Sequence, residues 1–198
     1  MKSNIIVLLS GNGTTMQSIV ENCNNANVIT VVSNNKNALG INKAMDLNIP
    51  LITIPRDNYI HRVLHELELQ NKIYQLVETH DVKLIVLAGF MQVLSPSFIE
   101  FFDCLGVKII NIHPSLLPNY KGLNTHKRVI ESGDNIHGMT IHYVNPEIDS
   151  GEIIFSVSIS VEENDTPETL ETKIKALEQK YYHIVIDELI TKINLTNE

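Results

Sequence analysis

The feature that most constrains this chain is the alternation of short, unbroken apolar runs with segments of helical periodicity. The runs are rich in β-branched residues and predict strands at residues 5–9, 28–32, 51–54, 84–88 and 107–112. Helical patterns at residues 14–23, 38–47, 60–79 and 95–102 separate most of them. Strands that are apolar along their whole length are typical of a parallel sheet covered on both faces. The sequence therefore predicts a doubly wound α/β fold with a mostly parallel, open sheet.

The last third of the chain follows a different pattern. Strands are predicted at residues 139–144 and 153–161 with no helix between them, which indicates an antiparallel or mixed edge. Thr166, Pro167 and Glu168 form a strong helix start, and the helix is predicted to continue to about residue 189. Its expected apolar stripe is Leu170, Ile174, Leu177, Tyr181 and Ile184. Because no change of composition divides the chain, we expect one domain over residues 1–198.

Composition and charge exclude several classes of protein. The formal net charge is −8, whereas non-specific nucleic-acid binding calls for a basic patch. No apolar stretch approaches the ~20 residues of a membrane span, and the run at 5–9 is too short for a secretory signal. Cys23 and Cys104 form no CxxC motif and suit two free thiols in a reducing compartment. We expect a cytoplasmic protein with small-molecule substrates and neither nucleic-acid nor membrane partners.

A glycine-rich loop joins the first strand to the first helix at residues 10–15. Gly11 and Gly13 let the backbone approach a ligand, and the helix start offers free N–H groups to an anion. Met16 stands where the dinucleotide fingerprint requires Gly or Ala, and no Walker lysine follows. A tight turn without a ligand remains the alternative. The position at a strand's carboxyl end favours phosphate binding, since open α/β sheets bind ligands there.

Two polar residues, Asn111 and His113, end the fifth predicted strand. They share a face because side chains alternate along a strand, and Pro114 helps to end the strand behind them. Histidine can move a proton near neutral pH, and an asparagine amide can donate to an oxyanion. The alternative is that both side chains simply satisfy backbone groups of the following loop.

The octet at residues 111–118, Asn-Ile-His-Pro-Ser-Leu-Leu-Pro, resembles the signature of the folate-dependent formyltransferase superfamily. Ala-Gly-Phe-Met at 88–91 and Asp-Ser-Gly at 149–151 are similar to that family and stand in its order. The resemblance covers nearly the whole chain and implies a Rossmann-like formyltransferase fold. The Ser-Gly-Asn-Gly start at residue 10 and the chain length resemble the branch that formylates glycinamide ribonucleotide.

The resemblance implies a reaction and three catalytic residues. The formyl group of 10-formyltetrahydrofolate would pass to the amine of N1-(5-phosphoribosyl)glycinamide, a step of purine (IMP) biosynthesis and of one-carbon metabolism. By the same resemblance, His113 is the acid–base group, Asn111 donates to the oxyanion and Asp149 favours the imidazolium. Asp149 by itself could equally be a turn residue, since Asp-Ser-Gly is good turn chemistry.

The binding residues are also implied by the resemblance. The ribonucleotide would lie on Gly11, Asn12, Gly13, Thr14, Thr15 and Glu178. The folate would lie on Met91, Gln92, Val93, Leu94, Asn145, Pro146, Glu147, Ile148 and Asp149. The reaction needs no metal, and the chain is expected to be a monomer or a homodimer.

The chain departs from the family pattern at several positions. Thr14 and Thr15 replace the usual Ser-Asn, and Gln92 stands where the family often has Arg. Arg62 and Glu66 both lie near the place of another basic family residue. Asn124 replaces a frequent histidine, with His126 two positions further on, and His137 and His142 could be structural.

Two other functions remain open. Hydrolases of 10-formyltetrahydrofolate resemble the chain at the three catalytic positions but typically carry an N-terminal regulatory domain, which this chain is expected to lack. Relatives that act on methionyl-tRNA or nucleotide sugars generally have further C-terminal domains. A non-catalytic nucleotide-binding module would be expected to have lost part of the catalytic set, yet Asn111, His113 and Asp149 are all present.

Overall fold

The computed structural model describes residues 2–196, and this part of the chain forms seven strands and six α-helices. The strands are β1 (Ser3–Leu9), β2 (Ala26–Ser33), β3 (Leu51–Thr53), β4 (Val82–Leu87), β5 (Lys108–His113), β6 (Ile136–Tyr143) and β7 (Ile153–Ser160). The helices are α1 (Thr14–Asn22), α2 (Gly40–Asp46), α3 (Arg62–His80), α4 (Pro96–Cys104), α5 (Thr125–Ser132) and α6 (Pro167–Thr196). Every predicted strand is present, whereas α5 was not predicted.

The strands form one sheet in the order β3-β2-β1-β4-β5-β6-β7. Strands β1 to β5 pair in parallel, and β6 pairs antiparallel with both β5 and β7. This topology confirms the doubly wound, mostly parallel sheet with an antiparallel edge. The strand order reverses beside β1, so the crevice at the carboxyl ends of β1 and β4 is where such a sheet binds ligands.

Strand β1 shows why the apolar runs become buried strands. Ile5, Val7 and Leu9 pack in the core that includes α1 and α6. Ile6 and Leu8 point to the opposite face, into the core that includes α3 and α4. All five side chains are fully buried, and each contributes roughly 1.5–3 kcal/mol relative to exposure. Both faces of β1 must therefore be apolar, so β1 lacks the alternation of apolar and polar residues that is typical of a half-exposed strand.

Helix α6 extends beyond its predicted end to Thr196, and its buried face differs from the predicted stripe. Leu170 and Ile174 are buried as expected, but Ile184 is 42% exposed. The buried positions continue instead at residues 182, 185, 186, 189 and 190. The prediction for Ile184 was wrong because the apolar face rotates around the helix as it crosses the sheet.

The carboxylate of Asp187 fixes α6 to the turn between α1 and β2. It accepts the backbone N–H groups of Asn24, Asn25 and Ala26 at 2.7, 2.8 and 3.2 Å.

Cys23 beside this turn is buried and Cys104 is exposed, and both are free thiols. Within residues 2–196, no helix combines the length and the apolar character needed to cross a bilayer.

Candidate active site

The three residues predicted to be catalytic lie together at the carboxyl end of β5. His113 Nδ1 is 3.3 Å from Asp149 Oδ2, and His113 Nε2 is 3.0 Å from the Tyr120 carbonyl oxygen. A carbonyl oxygen and a carboxylate are both acceptors, so each ring nitrogen faces a group that needs a proton donor. A neutral ring has a single N–H, so it can donate to only one of these two acceptors.

Asp149 is held by backbone as well as by histidine. Its Oδ2 accepts the Gly122 N–H at 2.8 Å, and its own backbone has the left-handed φ of 48°. Aspartate is among the few residues that adopt this conformation readily. The turn role and the site role considered for Asp149 are therefore compatible.

Asn111 is oriented by a residue that the sequence left unassigned. Its Nδ2 lies 3.2 Å from His142 Nε2, and the two residues are direct partners across β5 and β6. His142 Nδ1 lies 2.8 Å from the Tyr143 carbonyl oxygen and must donate to it, so Nε2 is the acceptor for Asn111. Burial lowers the pKa of His142 more than Asp149 raises it, which preserves this neutral tautomer. The second amide proton of Asn111 remains available to another acceptor.

The segment Pro118–Asn124, here called the strap, crosses from the end of β5 to α5. It supplies both the Tyr120 carbonyl and the Gly122 N–H that contact the His113–Asp149 pair. It follows a cis Leu117–Pro118 peptide bond, and Tyr120 has a positive φ of 56°. These contacts come from main-chain atoms of an irregular loop, so no side-chain motif in the sequence could have indicated them.

The glycine-rich loop takes the form expected for anion binding. Gly13 caps α1 in a left-handed conformation, and no side chain caps the helix N–H groups. A Cβ at Gly13 would lie 2.5 Å from the Gly40 Cα, so close packing demands glycine there. A Cβ at Gly11 would meet nothing within 4 Å. The loop therefore leaves both free donors and open space at a helix N-terminus.

Glu178 of α6 reaches the beginning of α1. Thr15 Oγ1 donates to Glu178 Oε2 at 3.3 Å, so two residues predicted to bind the ribonucleotide are in contact. Burial raises the pKa of Glu178 to about 7, although the Thr15 hydrogen bond opposes the shift. The prediction of a contact between Thr15 and the ligand phosphate stays a prediction, since the hydroxyl has a protein partner here.

The predicted folate segment Met91–Leu94 is bonded to the glycine-rich loop. Ser10 Oγ accepts the Met91 N–H at 2.7 Å and donates to Asn34 Oδ1 at 2.6 Å. Asn34 Nδ2 in turn lies 3.4 Å from Gln92 Oε1. Gln92 therefore bonds to a neighbouring loop, and Met91 is largely exposed beside Val93, while Leu94 is buried.

Of the two residues near the place of the basic family residue, Arg62 is the one that hydrogen-bonds to the folate segment itself. Its Nη2 donates to the Val93 carbonyl oxygen. Glu66 is buried and accepts the Ser95 N–H at 2.5 Å, next to the start of α4. The other predicted folate segment, residues 145–149, contacts the strap through Asp149, and its Glu147 and Ile148 are exposed.

The remaining histidines near the site form a pair. His126 Nδ1 and His137 Nε2 are 2.9 Å apart, and burial lowers the pKa of both, that of His137 to about 4. Asn124 precedes α5 with a positive φ of 57° and makes no side-chain cap. Among residues 2–196, no group of three or more His, Cys, Asp or Glu side chains is arranged to hold a metal ion.

Comparison with known proteins places this geometry in a family context. The formyl transferase family model matches residues 3–186. A phosphoribosylglycinamide formyltransferase of Haemophilus influenzae is 40% identical over 186 residues, which cover 92% of this chain and 84% of that protein. The Gallus gallus trifunctional purine biosynthetic protein adenosine-3 is 37% identical over 91% of this chain, which spans only 18% of that protein. The solved phosphoribosylglycinamide formyltransferase of Coxiella burnetii superimposes with a TM-score of 0.88 at 38% identity, over 97% of this chain and 89% of that one.

Proposed function

Because the chain belongs to the formyl transferase family, we propose that it transfers the formyl group of 10-formyltetrahydrofolate to the amine of N1-(5-phosphoribosyl)glycinamide. The products are formylglycinamide ribonucleotide and tetrahydrofolate, in the synthesis of IMP. The observation that carries the proposal is the convergence of Asn111, His113 and Asp149 at one strand end. The acceptor is chosen because the Haemophilus influenzae and Coxiella burnetii relatives both have the name phosphoribosylglycinamide formyltransferase.

The proposed reaction is an acyl transfer between two nitrogens. The ribonucleotide amine forms a C–N bond to the formyl carbon, the carbonyl oxygen gains negative charge, and the bond from carbon to N10 of the folate then breaks. One proton leaves the incoming nitrogen and one is gained by N10, so the net change is the movement of a single proton. The protein must therefore stabilise an oxyanion and transfer a proton.

His113 and Asn111 fit these two tasks. In this mechanism protonated His113 gives a proton to N10 and regains one from the incoming nitrogen. Its Nε2–H can be shared between the carbonyl and an arriving substrate atom, since three-centre hydrogen bonds are common in proteins. Asn111 donates one amide N–H to the oxyanion, while His142 Nε2 accepts the other.

The two substrates approach from opposite sides of this group. The ribonucleotide phosphate binds the N–H groups of the glycine-rich loop, and Glu178 accepts hydroxyl protons of the ribose. The folate binds Met91–Leu94 and Asn145–Asp149, and Arg62 beside Val93 is available to a carboxylate of its tail.

The mechanism requires no metal. The two free thiols suit a cytoplasmic protein.

The test is formyl transfer from 10-formyltetrahydrofolate with and without the ribonucleotide, measured for the native protein, His113→Ala and a control, His80→Ala. His80 is exposed at the far end of α3. We expect ribonucleotide-dependent deformylation that falls by about 10²–10⁴-fold in His113→Ala and is unchanged in His80→Ala. Deformylation without an amine would instead indicate a hydrolase, and tight ligand binding without turnover would indicate a binding module.

A further inference from the structure

Lys121 connects the strap to the loop that contains Asp149. Its Nζ contacts Ser150 Oγ and lies 3.4 Å from Glu147 Oε1, so it contacts residues on both sides of Asp149. The residues on either side of Lys121 make the main-chain contacts to the site, Tyr120 to His113 and Gly122 to Asp149. Three consecutive strap residues thus contact either the catalytic pair or the loop that holds it.

The geometry of the pair depends on two irregular loops. Tyr120 and Asp149 both have positive φ values, 56° and 48°, and such non-glycine conformations persist only where the surroundings hold them. On the strap side, Arg128 of α5 donates to the Lys121 carbonyl oxygen at 2.7 Å and stacks on the Tyr120 ring at 5.3 Å. The main chain of the strap is therefore fixed to α5, and the side chain of Lys121 is free to reach the other loop.

We propose that Lys121 is a positioning residue, whose ammonium group joins the strap to the 147–150 loop and so keeps Asp149 against His113 and the Gly122 N–H. This inference rests on the proposed function, because it assigns a purpose to the His113–Asp149 contact. Lys121 acts through Asp149 and touches no reacting atom. The ammonium group is partly exposed, so added salt weakens its attraction to Glu147.

The test compares Lys121→Met and Lys121→Arg with a matched control, Lys127→Met. Lys127 forms an exposed ion pair with Glu131 at 3.7 Å within α5 and contacts neither loop. The first measurement is hydrogen exchange of the Gly122 amide in the ligand-free protein, since that N–H donates to Asp149. We expect exchange about two- to fivefold faster in Lys121→Met, the range for a partly exposed ion pair, with recovery in Lys121→Arg and no change in Lys127→Met.

The second measurement is the kcat of formyl transfer at low and high salt. Raising NaCl from about 0.05 M to about 0.5 M should lower the native kcat toward the Lys121→Met value and leave that variant unchanged, because ion pairs are screened. Unchanged Gly122 exchange in Lys121→Met would overturn the inference, as would a rise confined to the KM for folate, which would indicate a ligand contact. If the native protein catalysed no transfer, the proposed function would fail. The exchange data would still decide whether Lys121 holds the strap and the 147–150 loop together.

Discussion

Asp149 Oδ2 lies 3.3 Å from His113 Nδ1 and accepts the Gly122 N–H with the same oxygen. Asp149→Asn keeps the size of the side chain but removes the negative charge next to the His113 ring. We expect kcat to fall by about 10²-fold or more, with little change in the KM for the ribonucleotide. Asp81→Asn is the matched control, because Asp81 has a similar φ of 47° and is exposed. Equal rates for the two variants would remove Asp149 from the mechanism.

The contact between Asn111 and His142 predicts a non-additive pair of substitutions. His142→Phe keeps a ring but removes the acceptor that orients the Asn111 amide. We expect kcat to fall by roughly tenfold in His142→Phe and by about 10²–10³-fold in Asn111→Ala, the loss for one oxyanion donor. If His142 acts through Asn111, the double variant should be no slower than Asn111→Ala alone. Losses that multiply would show that His142 acts independently.

Glu178→Gln should stabilise the protein and weaken ribonucleotide binding. Burial raises the folded pKa of Glu178 to about 7, above the ~4.3 of an unfolded chain. The folded state therefore binds this proton more tightly, and stability is lost as pH rises from ~4.3 through 7. Glutamine avoids that loss, so the gain in Tm should be larger at about pH 8 than at about pH 5. Thermal unfolding and ribonucleotide titration at both pH values check the prediction, and a Tm gain independent of pH would contradict it.

Two glycines give opposite predictions for alanine. At Gly11 a Cβ meets nothing within 4 Å, so Gly11→Ala should leave Tm unchanged and raise the KM for the ribonucleotide by occupying space in the loop.

At Gly151 a Cβ would lie 1.7 Å from the Tyr143 carbonyl oxygen. Gly151→Ala must displace the loop beside Asp149, and we expect a loss of roughly 1–3 kcal/mol in the free energy of unfolding together with lower kcat. A stable, active Gly151→Ala protein would contradict this packing.

The sheet and the strand-end residues could be predicted because they depend on local pattern. Buried parallel strands must be apolar on both faces, as Ile5 to Leu9 are, so the runs mark them without knowledge of their partners. Helix α5 could not be found in this way. Asn124, which precedes the helix, has a left-handed φ and supplies no side-chain cap, and only Thr125 and Val129 are buried along the eight residues of α5.

The site residues that were missed depend on contacts between distant segments. His142 orients Asn111 only because of the antiparallel register of β5 and β6, which the strand pattern does not specify. The Tyr120 carbonyl and the Gly122 N–H are main-chain groups. Almost every residue has the same groups, so the sequence does not single these two out. The choice between Arg62 and Glu66 as the residue that contacts the folate segment depends on how α3 lies against Val93 and Ser95, which the sequence does not specify.

The contact between Thr15 and Glu178 has a consequence for the order in which the chain becomes competent during synthesis. The two residues are separated by 163 positions, so the glycine-rich loop leaves the ribosome long before the helix that opposes it. Until α6 emerges, Ile5, Val7 and Leu9 also lack the cover that this helix gives their face of the sheet. A nascent chain therefore has its glycine-rich loop early, and it gains the acid opposite that loop only when translation reaches α6.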